Sequence, residues 1–350
     1  MSEFSNGQRR LDRKADSMGN SDAEPARLDS GRLIEQHMTA PEAAKPINAS
    51  MPAAALNPAP RAELSLFGRM RRATRLSAQT GLSGLGQVLF SSRPAAGALF
   101  LGGIALNSPL MATGAVAGIA AGTFAARALG YSEGKIREGI FGFNAALVGI
   151  ATFVRFAPSV ESFAALAVGS VVSTVIMERM SRRSLPPRTA PFVLTTWGLW
   201  AAGSLLGFKP AAAAQSNLFG PILNIVPDVF GSLNGLGQVM FQGATLTGAA
   251  FLAGMLLTSR RLGLFAAAGS LAGGVLGTLC GASPEAVATG LLGYNSALGA
   301  AAFEDKKTAA VSAAMTLPLY AAFILVGVPA LTAPFVLATW IAPRLLRPSA

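Results

Sequence analysis

From about Thr80 onward the chain alternates between apolar runs and short stretches of Gly, Pro and charged residues. The runs fall near 94–107, 109–130, 135–155, 158–180 and 188–207, and again near 245–258, 260–281, 286–303, 308–327 and 332–346. Most approach the ~20 residues a helix needs to cross a bilayer, and the pattern is that of serial transmembrane helices. The first run of each group is short. It is expected to borrow residues from the glutamine-containing stretch before it or to meet a locally thinner bilayer.

The two groups are copies of one another, because the segments that flank and punctuate them repeat. Gly84-Leu-Gly-Gln87-Val-Leu-Phe90 returns as Gly235-Leu-Gly-Gln238-Val-Met-Phe241, 151 positions later. The same offset carries Gly142-Phe143-Asn144-x-Ala146-Leu147 onto Gly293-Tyr294-Asn295-x-Ala297-Leu298. Near the end of each half, Thr189-Ala-Pro-Phe-Val-Leu-Thr-Thr-Trp197 recurs as Thr332-Ala-Pro-Phe-Val-Leu-Ala-Thr-Trp340. Five crossings per copy is an odd number, so the second copy is expected to enter the membrane upside down. The predicted fold is all-α and integral to the membrane: ten transmembrane helices as two inverted five-helix repeats, each with a re-entrant half-helix. The domains are read as a disordered cytoplasmic tail and linker over 1–62, a first repeat over 63–210 and a second over 211–350.

Charge placement tests the inversion independently. With the N-terminus cytoplasmic beside Arg69, Arg71, Arg72 and Arg75, the next inner loops hold Arg127, Lys135 and Arg137, then Arg179, Arg182, Arg183 and Arg188. In the second half they hold Arg260 and Arg261, then Lys306 and Lys307, then Arg344 and Arg347. Outer loops are poor in Lys and Arg, as at Asn107-Ser-Pro109 and Gly281-Ala-Ser-Pro284, so the positive-inside rule holds throughout. Both termini are therefore expected in the cytoplasm. The first 30 residues hold no apolar core of signal-peptide length, so insertion is expected from the internal segments.

Composition narrows the function. The 350 residues are 51% hydrophobic and only 13% charged, with a mean hydropathy of +0.48; soluble domains carry about 25% charged residues. The net charge of +11 does not imply nucleic acid, since the basic residues lie between apolar segments and form no single polar face. One cysteine, Cys280, and one histidine, His37, leave no intrachain disulfide and no material for a zinc or histidine-based site, so neither cofactor nor enzymatic activity is expected. Glu133, Glu138, Glu161, Glu178, Glu285, Glu304 and Asp305 sit at or near segment ends, which leaves no carboxylate relay for ion coupling. An uncoupled pore for a neutral solute follows.

The polar residues present in both copies are the candidates to line it. Gln87 and Gln238, beside glycines and a turn, suit half-helices lining a cavity. Thr189 and Thr332 either satisfy freed backbone carbonyls or line the path. Asn144 and Asn295 read as interhelical bonds or helix caps. Phe90, Phe241, Phe143 and Tyr294 are ordinary core aromatics taken singly; paired across a two-fold axis, they are expected to form flat slots that admit a planar molecule and reject hydrated ions.

At these residues the chain resembles the urea transporter family, from about Gly84 to Leu346. The resemblance rests on the repeated Gly-Gln-Val-x-Phe, on Asn107-Ser-Pro109, on Gly-aromatic-Asn-x-x-Leu, and on Pro186-x-x-Thr189-x-Pro191-Phe192 with its copy Pro329-x-x-Thr332-x-Pro334-Phe335. It implies passive urea transport, a homotrimer with one pore inside each subunit, and a bacterial inner-membrane protein whose partners are urea and the lipid bilayer. It further implies that Gln87 and Gln238 flank the two outer pore sites beside slots of Phe90, Phe143, Phe241 and Tyr294. Leu147 and Leu298 would line the same path, with Thr189 and Thr332 near a central constriction. Tyr294 stands where the first half has a phenylalanine, and the tail has no counterpart in the family core. The competing reading is a pore for another small neutral solute: a short amide, ammonia or water. Urea is planar and neutral with four N–H donors and one acceptor, so replacing its hydration calls mainly for hydrogen-bond acceptors.

Overall fold

Proline sets where many of the helices begin. In the computed structural model, which describes residues 66–212 and 229–346, α1 (Leu66–Gln87), α2 (Pro94–Asn107), α3 (Pro109–Ala128), α4 (Glu133–Arg137), α5 (Phe143–Arg155), α6 (Val160–Ser181) and α7 (Ala190–Leu205) make up the first half. The second half is α8 (Ser232–Gln238), α9 (Thr245–Thr258), α10 (Arg260–Leu279), α11 (Pro284–Ala288), α12 (Tyr294–Ala301), α13 (Lys306–Val326) and α14 (Ala333–Leu345). The tail over 1–62 and Arg347 lie outside the described residues.

Pro94, Pro109 and Pro284 occupy first-turn positions, where a missing N–H costs nothing. The Ser108 hydroxyl caps α3 by accepting the Met111 N–H, and the Asp305 carboxylate caps α13 by accepting that of Thr308. Ser159 and Ser162 form a reciprocal box at the start of α6. Among the described residues, four helices are long and apolar enough to cross a membrane: α3, α6, α10 and α13, two at corresponding places in each half. Shorter apolar helices, α2, α5 and α9, lie beside them.

The third apolar run of each half is not one helix. The chain breaks between α4 and α5 and between α11 and α12, where the sequence pattern predicts continuous segments over 135–155 and 286–303. Glycine is the cause. Gly139 has φ +80° and Gly290 φ +77°, and a Cβ on either would lie 2.2 Å from the backbone nitrogen of Gly84 or Gly235. Only glycine fits that backbone and that approach. Close packing of α3 on α5 rests on a small-xxx-small stripe: a Cβ on Gly118 would stand 2.1 Å from the Ala145 carbonyl oxygen. On α10, Gly269 repeats this against the Ser296 carbonyl oxygen at 2.5 Å.

The halves meet through equivalent elements. α2 and α9 pack antiparallel: Ser91 and Thr258 hydroxyls touch at one end, and the Phe100 and Phe251 rings meet midway, 5.1 Å apart. At the other end the Asn107 amide donates to Gln242 Oε1 at 2.7 Å. Two further contacts are reciprocal. The Trp197 indole donates to the Pro329 carbonyl at 2.8 Å, and the Trp340 indole to the Pro186 carbonyl at 2.9 Å. α2 and α9 thus run in opposite directions across the seam.

Candidate functional site

α1 ends on Gln87 and α8 on Gln238, and the chain turns back sharply after each. The Ser91 N–H returns to the Gly86 carbonyl and the Gln242 N–H to the Gly237 carbonyl, both at 3.0 Å. That closure puts Phe90 and Phe241 in left-handed backbone, each with φ 60°. Glycine would adopt it freely; an L side chain pays about 1–2 kcal/mol. The only other non-glycine residues with positive φ among those described are Arg188 (51°) and Leu331 (45°), which also correspond between the halves. Strain retained at two matched pairs of positions marks where a side chain has to be aimed.

The glutamine amides are oriented by the glycine breaks. Gln87 Nε2 donates to the Glu138 carbonyl at 3.1 Å, and Gln238 Nε2 to the Thr289 carbonyl at 2.9 Å. A carbonyl partner fixes which end of each amide is nitrogen. Each Oε1 is thereby turned away as an acceptor, and no protein donor among the described residues meets it.

Thr189 and Thr332 hydroxyl oxygens are 2.7 Å apart and buried, each just ahead of a helix, α7 or α14. Their backbones are held by the asparagines. Asn144 Oδ1 accepts the Phe192 N–H at 3.1 Å while its Nδ2 donates to the Arg188 carbonyl at 3.3 Å. Asn295 does the same with the Phe335 N–H and the Leu331 carbonyl, both at 3.1 Å. The asparagines therefore satisfy an otherwise orphaned helix N–H and clamp the strained residue before each threonine.

The ring contacts cross between halves. Phe90 meets Phe335 edge-on at 6.1 Å and 77°, and Phe241 meets Phe192 at 6.3 Å and 76°. Phe192 and Phe335 were not among the candidates drawn from sequence, although the repeated Thr-Ala-Pro-Phe carried them. Phe143 and Tyr294 are buried, and the Tyr294 hydroxyl donates to the Leu331 carbonyl at 2.6 Å. That hydroxyl is spent on backbone, so the extra polar group adds no free donor. Leu147 and Leu298 are fully enclosed. Glu178 is the one buried carboxylate among the described residues, and Lys135 and Arg182 pair with its two oxygens at 3.5 and 3.0 Å. A groove of about 490 Å³ lined by Leu82, Val116 and Phe124 is almost wholly apolar and includes none of the ten candidates in its lining.

Crossing-length apolar helices around a duplicated seam of glutamine, phenylalanine and threonine define a polytopic α-helical membrane protein. Residues 78–345 match the family described as urea transporter, and the chain belongs to it. It is similar to urea transporter 1 of Rattus norvegicus (31% identical, over 62% of this chain and 60% of the relative) and of Mus musculus (32%, over 62% and 60%). Urea transporter 1 of Ovis aries is 29% identical over 74% of each chain. The matches to the rat and mouse proteins thus span about 60% of those relatives' length.

Proposed function

We propose that this protein is a passive, channel-like pore that carries urea down its gradient, with the path running along the seam between two inverted halves. As a member of a transporter family it is not an enzyme. Gln87, Phe90, Phe143 and Leu147 line one end, and Gln238, Phe241, Tyr294 and Leu298 the other, with Thr189 and Thr332 at the constriction between them. The observation that carries the reading is the buried Thr189–Thr332 hydroxyl pair, in which the same threonine of each half meets its copy. A solute leaving water would exchange its hydration for the Gln87 and Gln238 oxygens, pass edges of paired rings, and meet hydroxyls that both donate and accept. None of those ten side chains is charged, so they do not hold urea tightly, as conduction requires.

The topology is part of the same proposal: ten crossings in two inverted repeats, both termini in the cytoplasm, in an inner membrane. Contacts across the seam support it, since they join loops that the charge rule places on one side. Arg93 reaches the Leu257 carbonyl, and Arg188 lies against Phe303. The assembly is proposed as a homotrimer with a pore in each subunit, to be read from the mass of the purified protein in detergent by light scattering. Transport is tested by stopped-flow urea efflux from proteoliposomes, with formamide, glycerol and ammonia in parallel. Urea flux well above empty vesicles is expected; a rate equal to theirs would remove the proposal.

A further inference from the structure

The two halves are closely matched around the seam, and Arg188, like Tyr294, is a position where they part. Its counterpart is Leu331, with the same left-handed backbone and the same carbonyl bond to an asparagine amide. One copy therefore presents an aliphatic side chain and the other a guanidinium. That guanidinium lies 5.8 Å from the centre of the Phe90 ring and 6.0 Å from that of Phe303. No carboxylate among the described residues pairs with it, and its buried Nε has no hydrogen-bond partner. The acid nearest in sequence to Phe303, Glu304, is mostly exposed and pairs with Arg261 at 3.6 Å, while Arg261 also donates to the Phe303 carbonyl. The surroundings add positive charge and leave that of Arg188 uncompensated.

We propose that Arg188 is a charge filter: a fixed cation beside Phe90 that lets neutral solutes pass one mouth of the pore and repels cations of the same size and shape. This rests on the pore reading above. Cation–ring contact holds the guanidinium in place without neutralising it. Repulsion between like charges some 6–8 Å apart, in surroundings of effective dielectric about 20, is enough to lower cation entry by about tenfold or more. An aromatic slot alone does not supply that discrimination, because ring faces attract cations.

The probe is guanidinium, a planar cation of urea's size. Its uptake and urea efflux are measured in the same batches of proteoliposomes for wild type, Arg188→Leu, which copies Leu331, and Arg188→Lys, which keeps the charge. Wild type and Arg188→Lys are expected to carry urea and exclude guanidinium. Arg188→Leu is expected to carry urea and to admit guanidinium at least about tenfold faster than wild type. If the leucine protein fails to insert, Arg188→Gln is read in the same way. A neutral variant that carries urea yet excludes guanidinium as well as wild type overturns the filter. A wild type that carries no urea overturns the pore reading instead.

Discussion

Gln87 and Gln238 carry the chemistry of the proposed path in a single atom each, the Oε1 left over after Nε2 is tied to a backbone carbonyl. Sequence repetition singled out these two, along with the threonines, because a polar residue kept twice inside apolar segments has to be explained. It could not single out the ring partners, since Phe90 meets Phe335 and Phe192 meets Phe241 only across the seam, at separations no local pattern encodes. Nor could it find the left-handed backbone at Phe90, Phe241, Arg188 and Leu331, where neither glycine nor asparagine announces the turn. A consequence follows for the glutamines. Replacing either with Leu removes an acceptor for a urea N–H, and an unsatisfied buried donor costs about 1–3 kcal/mol. If that site limits passage, flux should fall by roughly tenfold, about 1.4 kcal/mol per decade. Size-exclusion profiles of the variants should match wild type. Normal urea flux in a folded double variant would take the glutamines out of the path.

Element boundaries were more legible than element continuity. Proline at helix starts and charged residues between runs fix most ends, and α2 and α9 begin and end where the hydropathy pattern put them. The two breaks were hidden because glycine inside an apolar run reads as a tolerated helix residue; its φ and what it touches are tertiary facts. Those breaks position the site, since their carbonyls hold the glutamines. Gly139→Ala should therefore do more than an ordinary helix substitution. It forces a Cβ into left-handed backbone and to within 2.2 Å of the Gly84 nitrogen, a contact neither chain can relieve by a rotamer change. A large drop in thermal midpoint and loss of urea flux are expected. Gly130 is the control, with φ +69° but open space where a Cβ would go. Its alanine variant should lose only about 1 kcal/mol and keep its flux. Equal effects at the two positions, in parallel thermal-shift measurements, would show that the close approach of the breaks to α1 is unimportant.

At the scale of the whole molecule, the proposed inversion is the feature the rest of the proposal depends on, because it would set the seam and give the pore two matched ends. The expectation comes from an odd count of apolar runs with basic residues mostly on one side, and the antiparallel packing of α2 on α9 supports it. The native thiol offers a direct test. Cys280 is exposed at the end of α10, and the loop after it, Gly281-Ala-Ser-Pro284, is one the charge rule puts outside. Using it avoids disturbing Ser108 or Ser283, whose hydroxyls cap α3 and α11; cap loss costs about 1 kcal/mol. In right-side-out vesicles a membrane-impermeant maleimide should modify Cys280 without permeabilisation. In a Cys280→Ser background, a cysteine placed at exposed Ser184, within the basic loop after α6, should react only once the membrane is opened. The two positions lie in different halves, so the pair reads their relative orientation as well as the absolute one. Modification of Cys280 only after permeabilisation would reverse the second half and rule out the inverted arrangement, and with it a path whose two ends are copies of each other.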